Sequence, residues 1–266
     1  MAEHENSQGA TGGGAPEGAT ASTGGVGSWI LGIFVDPKST FEQVNDAVER
    51  PHPGDASKTK DMSKWWLPVL ITIVVVIGIS LYTVPKFVAP MQADAIREMV
   101  VERGGTAADA EQAIRMSSAM LLPGTIIGAT VVTFIMLFVF AGVSHLVMKM
   151  AGGKGRFRNA RAVVAWGMLV TALGSIVKLP LMIVKGSALV ETGPTLFFRS
   201  LEPSDRLYRF LSSLDIFTIW WLVLLVVGLS IGYRSSKGKA VVAGVVVWVL
   251  YMLLVTFSPG GIGASM

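Results

Sequence analysis

Cysteine is absent from the chain, and histidine occurs only three times in its 266 residues. Without thiols the chain can form no disulfide, no thiolate metal site and no cysteine nucleophile. His4, His52 and His145 are far apart in the sequence, and none belongs to an HExxH motif. The glycines around Lys154 lack the order of a phosphate-binding loop, so they predict a turn. The sequence thus predicts no catalytic residue, no metal site and no cofactor, and we expect a protein that is not an enzyme.

Charged residues are also scarce, at 15% of the chain, whereas hydrophobic residues make up 52%. The mean hydropathy of +0.58 indicates more apolar surface than a soluble domain of this length could bury. We therefore expect a membrane protein. The formal charge of +4 comes from cations clustered in short loops between apolar runs, which is typical of membrane topology. We expect no nucleic-acid partner.

Five apolar segments have the roughly twenty residues that a helix needs to cross a bilayer. They lie at about residues 66–84, 120–148, 162–184, 214–233 and 240–257. We therefore predict an all-α membrane bundle of five transmembrane helices over residues 66–258. The Gly-rich residues 1–27 predict a disordered tail, and residues 259–266 predict a short tail on the outer side.

Residues 28–65 predict a cytosolic amphipathic segment in front of the first span. Trp29 and Phe34 belong to an apolar cluster too short to span a bilayer, so we expect them to anchor the segment in the membrane interface. Asp36 and Pro37 are typical of an N-cap and the first residue of a helix. This helix either packs on the membrane domain or binds a partner.

The loops 149–161 and 234–239 carry five and three cations, respectively, and no acid. The excess of Lys and Arg in cytoplasmic loops places both loops on the cytoplasmic side. An odd number of spans then leaves the N-terminus in the cytoplasm and the C-terminus outside. We expect anionic lipid headgroups to contact the cations Arg156, Arg158, Arg161, Lys237 and Lys239.

Two residues that are charged at neutral pH lie within the apolar segments, Lys178 in the third and Asp215 at the start of the fourth. An acid at a helix N-terminus accepts from free backbone N–H groups, so Asp215 alone predicts a cap. A buried ammonium is costly unless it reaches water or an anion. Asp215 is therefore either an ordinary cap or a cap that also forms a structural ion pair with Lys178. Without that pair, Lys178 would indicate a transport path.

Small residues at GxxxG spacing occur in two of the predicted spans. Gly124 and Gly128 form one pair, and Gly228 and Gly232 form the other. Such pairs let helix backbones approach closely in lipid. They predict helix packing, either within the chain or at the interface of a homo-oligomer.

Four stretches of sequence carry a family resemblance. They are DPKSTFEQV, WWLPVL, GRFRNARAVVAWGML, and LDIFTIWWLVLLVVGLSIG with the basic RSSKGKA after it. Their order over residues 28–258 resembles the bacterial branch of the YIP (Ypt-interacting protein) family. The resemblance implies a five-span membrane protein with a cytosolic N-terminus. Eukaryotic relatives are associated with Rab-type GTPases, vesicle traffic and the shaping of early secretory membranes, but no stretch here identifies a GTPase contact.

The resemblance and the basic loops together favour a non-enzymatic protein of the bacterial cytoplasmic membrane. We expect it to scaffold partners or to organise and shape the bilayer. We expect anionic lipids as its partners. A membrane protein, a cytosolic protein or a second copy of the chain is an additional candidate partner. The alternative is a transporter or channel component, which the intramembrane Lys178 favours.

Overall fold

The computed structural model describes residues 26–52, 55–59, 61–187, 190, 193–198, 201 and 205–257. The predicted outer tail at 259–266 lies outside these residues, as does nearly all of the predicted disordered tail at 1–27. The described part is dominated by helices, which confirms the all-α class.

The helices follow one another along the chain with short connections. A π-helical turn, Val84–Val88, joins the third helix to the fourth, and Pro194–Phe197 form a short 3-10 helix. The α-helices are α1 (Val26–Val35), α2 (Pro37–Glu49), α3 (Trp66–Thr83), α4 (Ala89–Glu102), α5 (Ala107–Met150), α6 (Phe157–Lys185), α7 (Arg206–Ser212), α8 (Ile216–Gly232) and α9 (Lys237–Phe257).

A small antiparallel hairpin after α2 was not predicted. Its strands are β1 (Pro51–His52) and β2 (Asp55–Thr59), and Pro51 pairs with Thr59. The sequence of this stretch, PHPGDASKT, has no alternating apolar residues, which are the usual signal of a strand. The hairpin connects α2 to α3 without altering the helical class.

Local side-chain chemistry explains where several helices begin. The Asp36 carboxylate accepts from the Ser39 backbone N–H at 3.1 Å, with Pro37 as the first residue of α2. Thr106 and Asp109 form a reciprocal capping box at the start of α5. Such caps satisfy backbone donors that have no partner within the helix.

Four described helical segments are long and apolar enough to cross a membrane: α3 continued through α4, α5, α6 and α9. A fifth crossing is formed if α7 and α8, which are bent by 60° at a short break, count as one span. The break occurs because Asp215 caps α8 and starts a new helix there. The described part of the chain is therefore a multi-pass membrane bundle with four or five helical segments that can cross the membrane.

Helix α6 is the central element of the bundle. It packs against α3, α5 and α8, while α9 packs against α5 and α8. Most side chains between Ala160 and Val170 are buried. The turn after α5 and the turn after α8 meet at one end of the bundle, where the Lys154 N–H donates to the Tyr233 carbonyl at 3.0 Å. We call this end, formed by residues 149–161 and 234–239, the basic face.

Helices α1 and α2 form a hairpin, the N-terminal hairpin (Val26–Glu49), packed against the basic-face half of α6 and along α8. A Cβ added at Gly228 would lie 3.1 Å from the Phe41 ring, and one at Gly232 would lie 3.7 Å from Asn45. The Asn159 amide of α6 also donates to Asn45 at 2.8 Å. Two roles are expected for α2, packing on the membrane domain or binding a partner. In the structure, α2 packs on the membrane domain.

Of the two expected interface anchors, Trp29 lies in the core, whereas the anchoring role of the half-buried Phe34 stays a prediction. Trp29 is only 8% exposed, stacks edge-on with Trp166 at 5.5 Å and donates from its ring N–H to Gln43. The Phe34 ring contacts Trp220 at 5.7 Å. Trp29 is thus a core residue and not an anchor, because the hairpin folds its aromatic side onto the bundle. Among the α1 side chains that the structure describes, Leu31 and Val35 are apolar and exposed, at 70% and 85%.

Candidate intramembrane site

Lys178 of α6 and Asp215 at the start of α8 meet inside the bundle. One Asp215 carboxylate oxygen accepts from the Thr218 backbone N–H at 2.7 Å, and the other accepts from the Lys178 ammonium at 2.5 Å. The side chains of Lys178 and Asp215 are 16% and 7% exposed. Of the two alternatives that the sequence left open, this geometry corresponds to the cap that also forms an ion pair.

A cavity of about 110 Å³ adjoins this ion pair. Helices α3, α5, α6, α8 and α9 all contribute to its wall, as does the break between α7 and α8. The wall includes the ion pair, a set of hydroxyl side chains, a set of aromatic rings and the apolar side chains of Val76, Met136 and Met168. Ionisable groups inside a membrane bundle mark functional sites by default, which makes this cavity the candidate site.

The hydroxyl wall of the cavity includes Thr72, Thr133, Thr171 and Ser175. Each of these hydroxyls donates to a backbone carbonyl three or four residues earlier in its own helix, at 2.7 to 3.0 Å. This back-bonding is usual for Ser and Thr in helices and uses the only hydroxyl proton. The hydroxyl oxygens consequently retain lone pairs that can accept hydrogen bonds from a molecule in the cavity.

The aromatic wall is formed by Phe140, Trp221 and Tyr251, with Phe217 beside them. The centroid of Phe140 lies 5.5 Å from that of Trp221 and 6.3 Å from that of Tyr251, and the last two lie 6.4 Å apart. The Tyr251 hydroxyl is hydrogen-bonded to Thr218. Sequence reasoning missed this group because its members lie on α5, α8 and α9, and no local pattern relates them.

The predicted lipid-binding cations differ in how freely they can reach a headgroup. Arg156, Lys237 and Lys239 are exposed, and Arg158 is half-buried. Arg161 instead donates to the Asp61 carboxylate at 2.6 Å and lies over the Trp65 ring at 4.4 Å. These contacts hold Arg161 within the protein, because the segment before α3 folds back onto the start of α6. The sequence could not show this pairing.

Further contacts at the basic face join the N-terminal hairpin to both basic turns. The Glu49 carboxylate accepts from the Asn159 amide at 3.4 Å and from Arg234 at 2.6 Å. The Tyr233 hydroxyl lies 2.6 Å from a ring nitrogen of His145. His145 therefore has a structural contact at the basic-face end of α5.

The two GxxxG pairs have different environments. A Cβ added at Gly228 would lie 2.5 Å from a Val163 methyl group, and one at Gly232 would lie 3.3 Å from Asn159. The structure therefore brings this pair against α6 within the chain. Neither Gly124 nor Gly128 has another part of the protein within 4 Å of such an added atom. Gly124 and Gly128 thus have no packing role within the described bundle.

Comparison with family models matches the Yip1 domain to residues 31–258. The match begins within α1 and continues through α9, so it includes the N-terminal hairpin, the basic face and the candidate site. No curated protein and no solved structure matches the chain. Among the residues that the structure describes, no three His, Asp or Glu side chains are grouped so that they could hold a metal ion.

Proposed function

We propose, because the chain belongs to the Yip1 domain family, that this multi-pass membrane protein organises and shapes the bilayer and catalyses no reaction. Its proposed location is the bacterial cytoplasmic membrane, with the basic face and the N-terminus in the cytoplasm. The lack of acids in the two basic turns supports this orientation. Anionic lipids are its proposed partners.

The observation that carries the proposal is the position of the N-terminal hairpin. Phe41 packs at Gly228, whereas Phe34 contacts Trp220, which lies about 12 Å farther along α8 from the basic face. The tip of the hairpin therefore extends along α8 past the middle of that helix. Exposed Leu31 and Val35 near the tip supply an apolar surface that suits acyl chains.

The hairpin adds cross-section mainly to the basic-face half of the bundle, since only its tip reaches the level of Trp220. A protein wider in one leaflet than in the other spreads that leaflet and favours curvature of the bilayer. This asymmetry supports a role in shaping the membrane.

The exposed cations of the basic face support binding to the same leaflet. Arg156, Lys237 and Lys239 are exposed next to the turns that follow α5 and α8. Each cation near an anionic surface contributes about 1 kcal/mol of attraction. Electrostatic attraction would thus concentrate anionic lipid around the half of the protein that carries the hairpin.

Reconstitution into vesicles of mixed zwitterionic and anionic lipid tests the proposal. We expect the wild-type protein to convert large vesicles into smaller or tubular ones, measured by electron microscopy and light scattering at a fixed protein-to-lipid ratio. Leu31→Asn with Val35→Asn should weaken this effect because polar side chains insert poorly among acyl chains. The matched control is Val184→Asn, at an 88% exposed position on the opposite end of α6. Unchanged vesicle shape with wild-type protein would contradict the proposal.

The cavity supports a second candidate function, that of a transporter or channel component. It lies beside a broken helix pair and contains a buried ion pair, features that occur at substrate sites of transporters. A flux assay with radiolabelled polar solutes in the same proteoliposomes separates the two candidates. Solute uptake that disappears in Lys178→Met would favour transport over shaping.

A further inference from the structure

The charge of the cavity wall limits what can bind there. Among the described lining residues, only Lys178 and Asp215 carry a charge, and they neutralise one another. An ion of one sign would leave the buried site with a net charge, which is costly in a medium of low dielectric constant. A molecule with no net charge would not. The charge balance therefore favours a neutral or zwitterionic occupant.

The polar groups on the wall distinguish between neutral occupants. A lysine ammonium has three donors, and the structure uses one of them for the bond to Asp215. The two remaining N–H groups of Lys178 can donate to an oxyanion. The hydroxyl oxygens of Thr171 and Ser175, whose protons are already used, accept hydrogen bonds and suit an N–H donor. The cavity thus offers an anion-binding group and several cation-binding groups a short distance apart.

The aromatic wall strengthens the cation-binding part. The faces of Phe140, Trp221 and Tyr251 carry the partial negative charge that attracts ammonium groups. A carboxylate beside aromatic faces is a common arrangement for organic cations. The hydroxyl acceptors further favour a primary ammonium, because a quaternary one has no N–H group to donate.

We propose that the cavity binds a small zwitterion that contains a primary ammonium group and an oxyanion. The oxyanion binds Lys178, and the ammonium binds Asp215, the hydroxyl oxygens and the aromatic faces. One ion pair inside the protein is thereby exchanged for two between protein and ligand. This inference stands apart from the shaping function, since no residue of the N-terminal hairpin is among the described residues that line the cavity.

Two sources can supply this chemistry, a free amino acid and the phosphoethanolamine headgroup of a lipid. The cavity of about 110 Å³ is of the size that a glycine molecule or the end of such a headgroup requires. Glycine has one carbon between its ammonium and its carboxylate group. The headgroup has two carbons between its ammonium and its phosphate group. The experiment therefore includes an arm for each source.

The test uses the full-length protein in nanodiscs made only of phosphatidylglycerol, which contains no ammonium group. In the first arm, glycine or glycerophosphoethanolamine is titrated in, and thermal unfolding and calorimetry report binding. Ethanolamine and acetate serve as probes that carry a single charge. In the second arm, part of the lipid is replaced with phosphatidylethanolamine or, separately, with phosphatidylcholine.

We expect a rise in the unfolding temperature with a free zwitterion or with phosphatidylethanolamine, and the responding arm identifies the source. Ethanolamine, acetate and phosphatidylcholine should produce a smaller rise. An equal response to phosphatidylcholine would overturn the primary-ammonium assignment. A lack of response in both arms would show that the cavity binds no such zwitterion, and this result would overturn the proposal.

Variants connect the response to the cavity. Tyr251→Leu removes one aromatic face without touching the ion pair, and should weaken binding about tenfold. Lys178→Met combined with Asp215→Asn keeps the site neutral and should abolish the response. The matched control, Glu49→Gln with Arg234→Met, removes an ion pair at the basic face. This control should retain the rise in unfolding temperature on addition of the zwitterion. Equal binding by the Tyr251 variant and the control would contradict the assignment.

Discussion

Asp215 has two roles, because it caps α8 and also pairs with Lys178. Asp215 would be stable as a simple cap, since one of its oxygens accepts from Thr218. Its second oxygen accepts from Lys178, which would otherwise be a buried charge without a partner. Removal of one member of such a pair costs more than removal of both, because the remaining charge stays buried.

A double-mutant cycle measures this coupling. We expect Lys178→Met and Asp215→Asn each to lower the free energy of unfolding in detergent by about 3–5 kcal/mol. The double variant should lose clearly less than the sum. The same cycle on Arg234 and Glu49, whose side chains are 67% and 34% exposed, should give a coupling of about 0–1 kcal/mol. Strictly additive losses at Lys178 and Asp215 would show that the pair is not coupled.

The capping box of α5 gives a prediction for pH. Hydrogen bonds from the Thr106 side chain and backbone lower the pKa of Asp109 below its usual value. A carboxylate with a lowered folded-state pKa stabilises the folded state above the unfolded pKa, and this stabilisation is lost as pH falls through the folded value. We expect Thr106→Val to raise the pKa of Asp109 toward the ordinary value in NMR titrations. An unchanged titration would show that the Thr106 hydroxyl contributes nothing.

At the scale of elements, the close contact between α6 and α8 depends on the absence of a side chain at Gly228. An added Cβ would approach a Val163 methyl group to 2.5 Å, and two packed helices cannot easily move apart. The N-terminal hairpin packs on the other side of the same residue through Phe41. Gly228 therefore joins three elements.

Alanine substitution compares the two predicted GxxxG pairs. Gly228→Ala should destabilise the bundle by about 1–3 kcal/mol through overpacking. Gly124→Ala, where nothing lies within 4 Å of the new methyl group, should be neutral or stabilise by up to about 1 kcal/mol through helix propensity. Thermal and chemical unfolding in detergent measures both. Similar effects of the two substitutions would contradict the packing that distinguishes them.

For the whole molecule, both basic turns lie at one end of the bundle, and the turn between α4 and α5 belongs to the other end. Reporter fusions after residues 155 and 236 should give cytoplasmic signals because of the positive charge there. A fusion after residue 104 should give the opposite signal. Cytoplasmic signals at all three sites, or a reversed pattern, would contradict the proposed orientation.

Local features of the sequence determined the class and much of the element order. The length and apolarity of the segments predicted the membrane helices, because the thickness of the bilayer sets a minimum length for each crossing. The chemistry of Asp36 and Pro37 located the start of α2, because a cap involves only neighbouring residues. These inferences require no knowledge of how distant helices pack.

Only the tertiary structure decided which side chains meet. It turned Trp29 into a core residue, paired Arg161 with Asp61, and brought Tyr251 to the same cavity as Lys178. Each of these contacts joins elements that are distant in the chain. In lipid, the apolar faces of helices are chemically alike, so shape and a few polar contacts select the neighbours. The spacing of residues within a single helix does not show which other helices will be its neighbours.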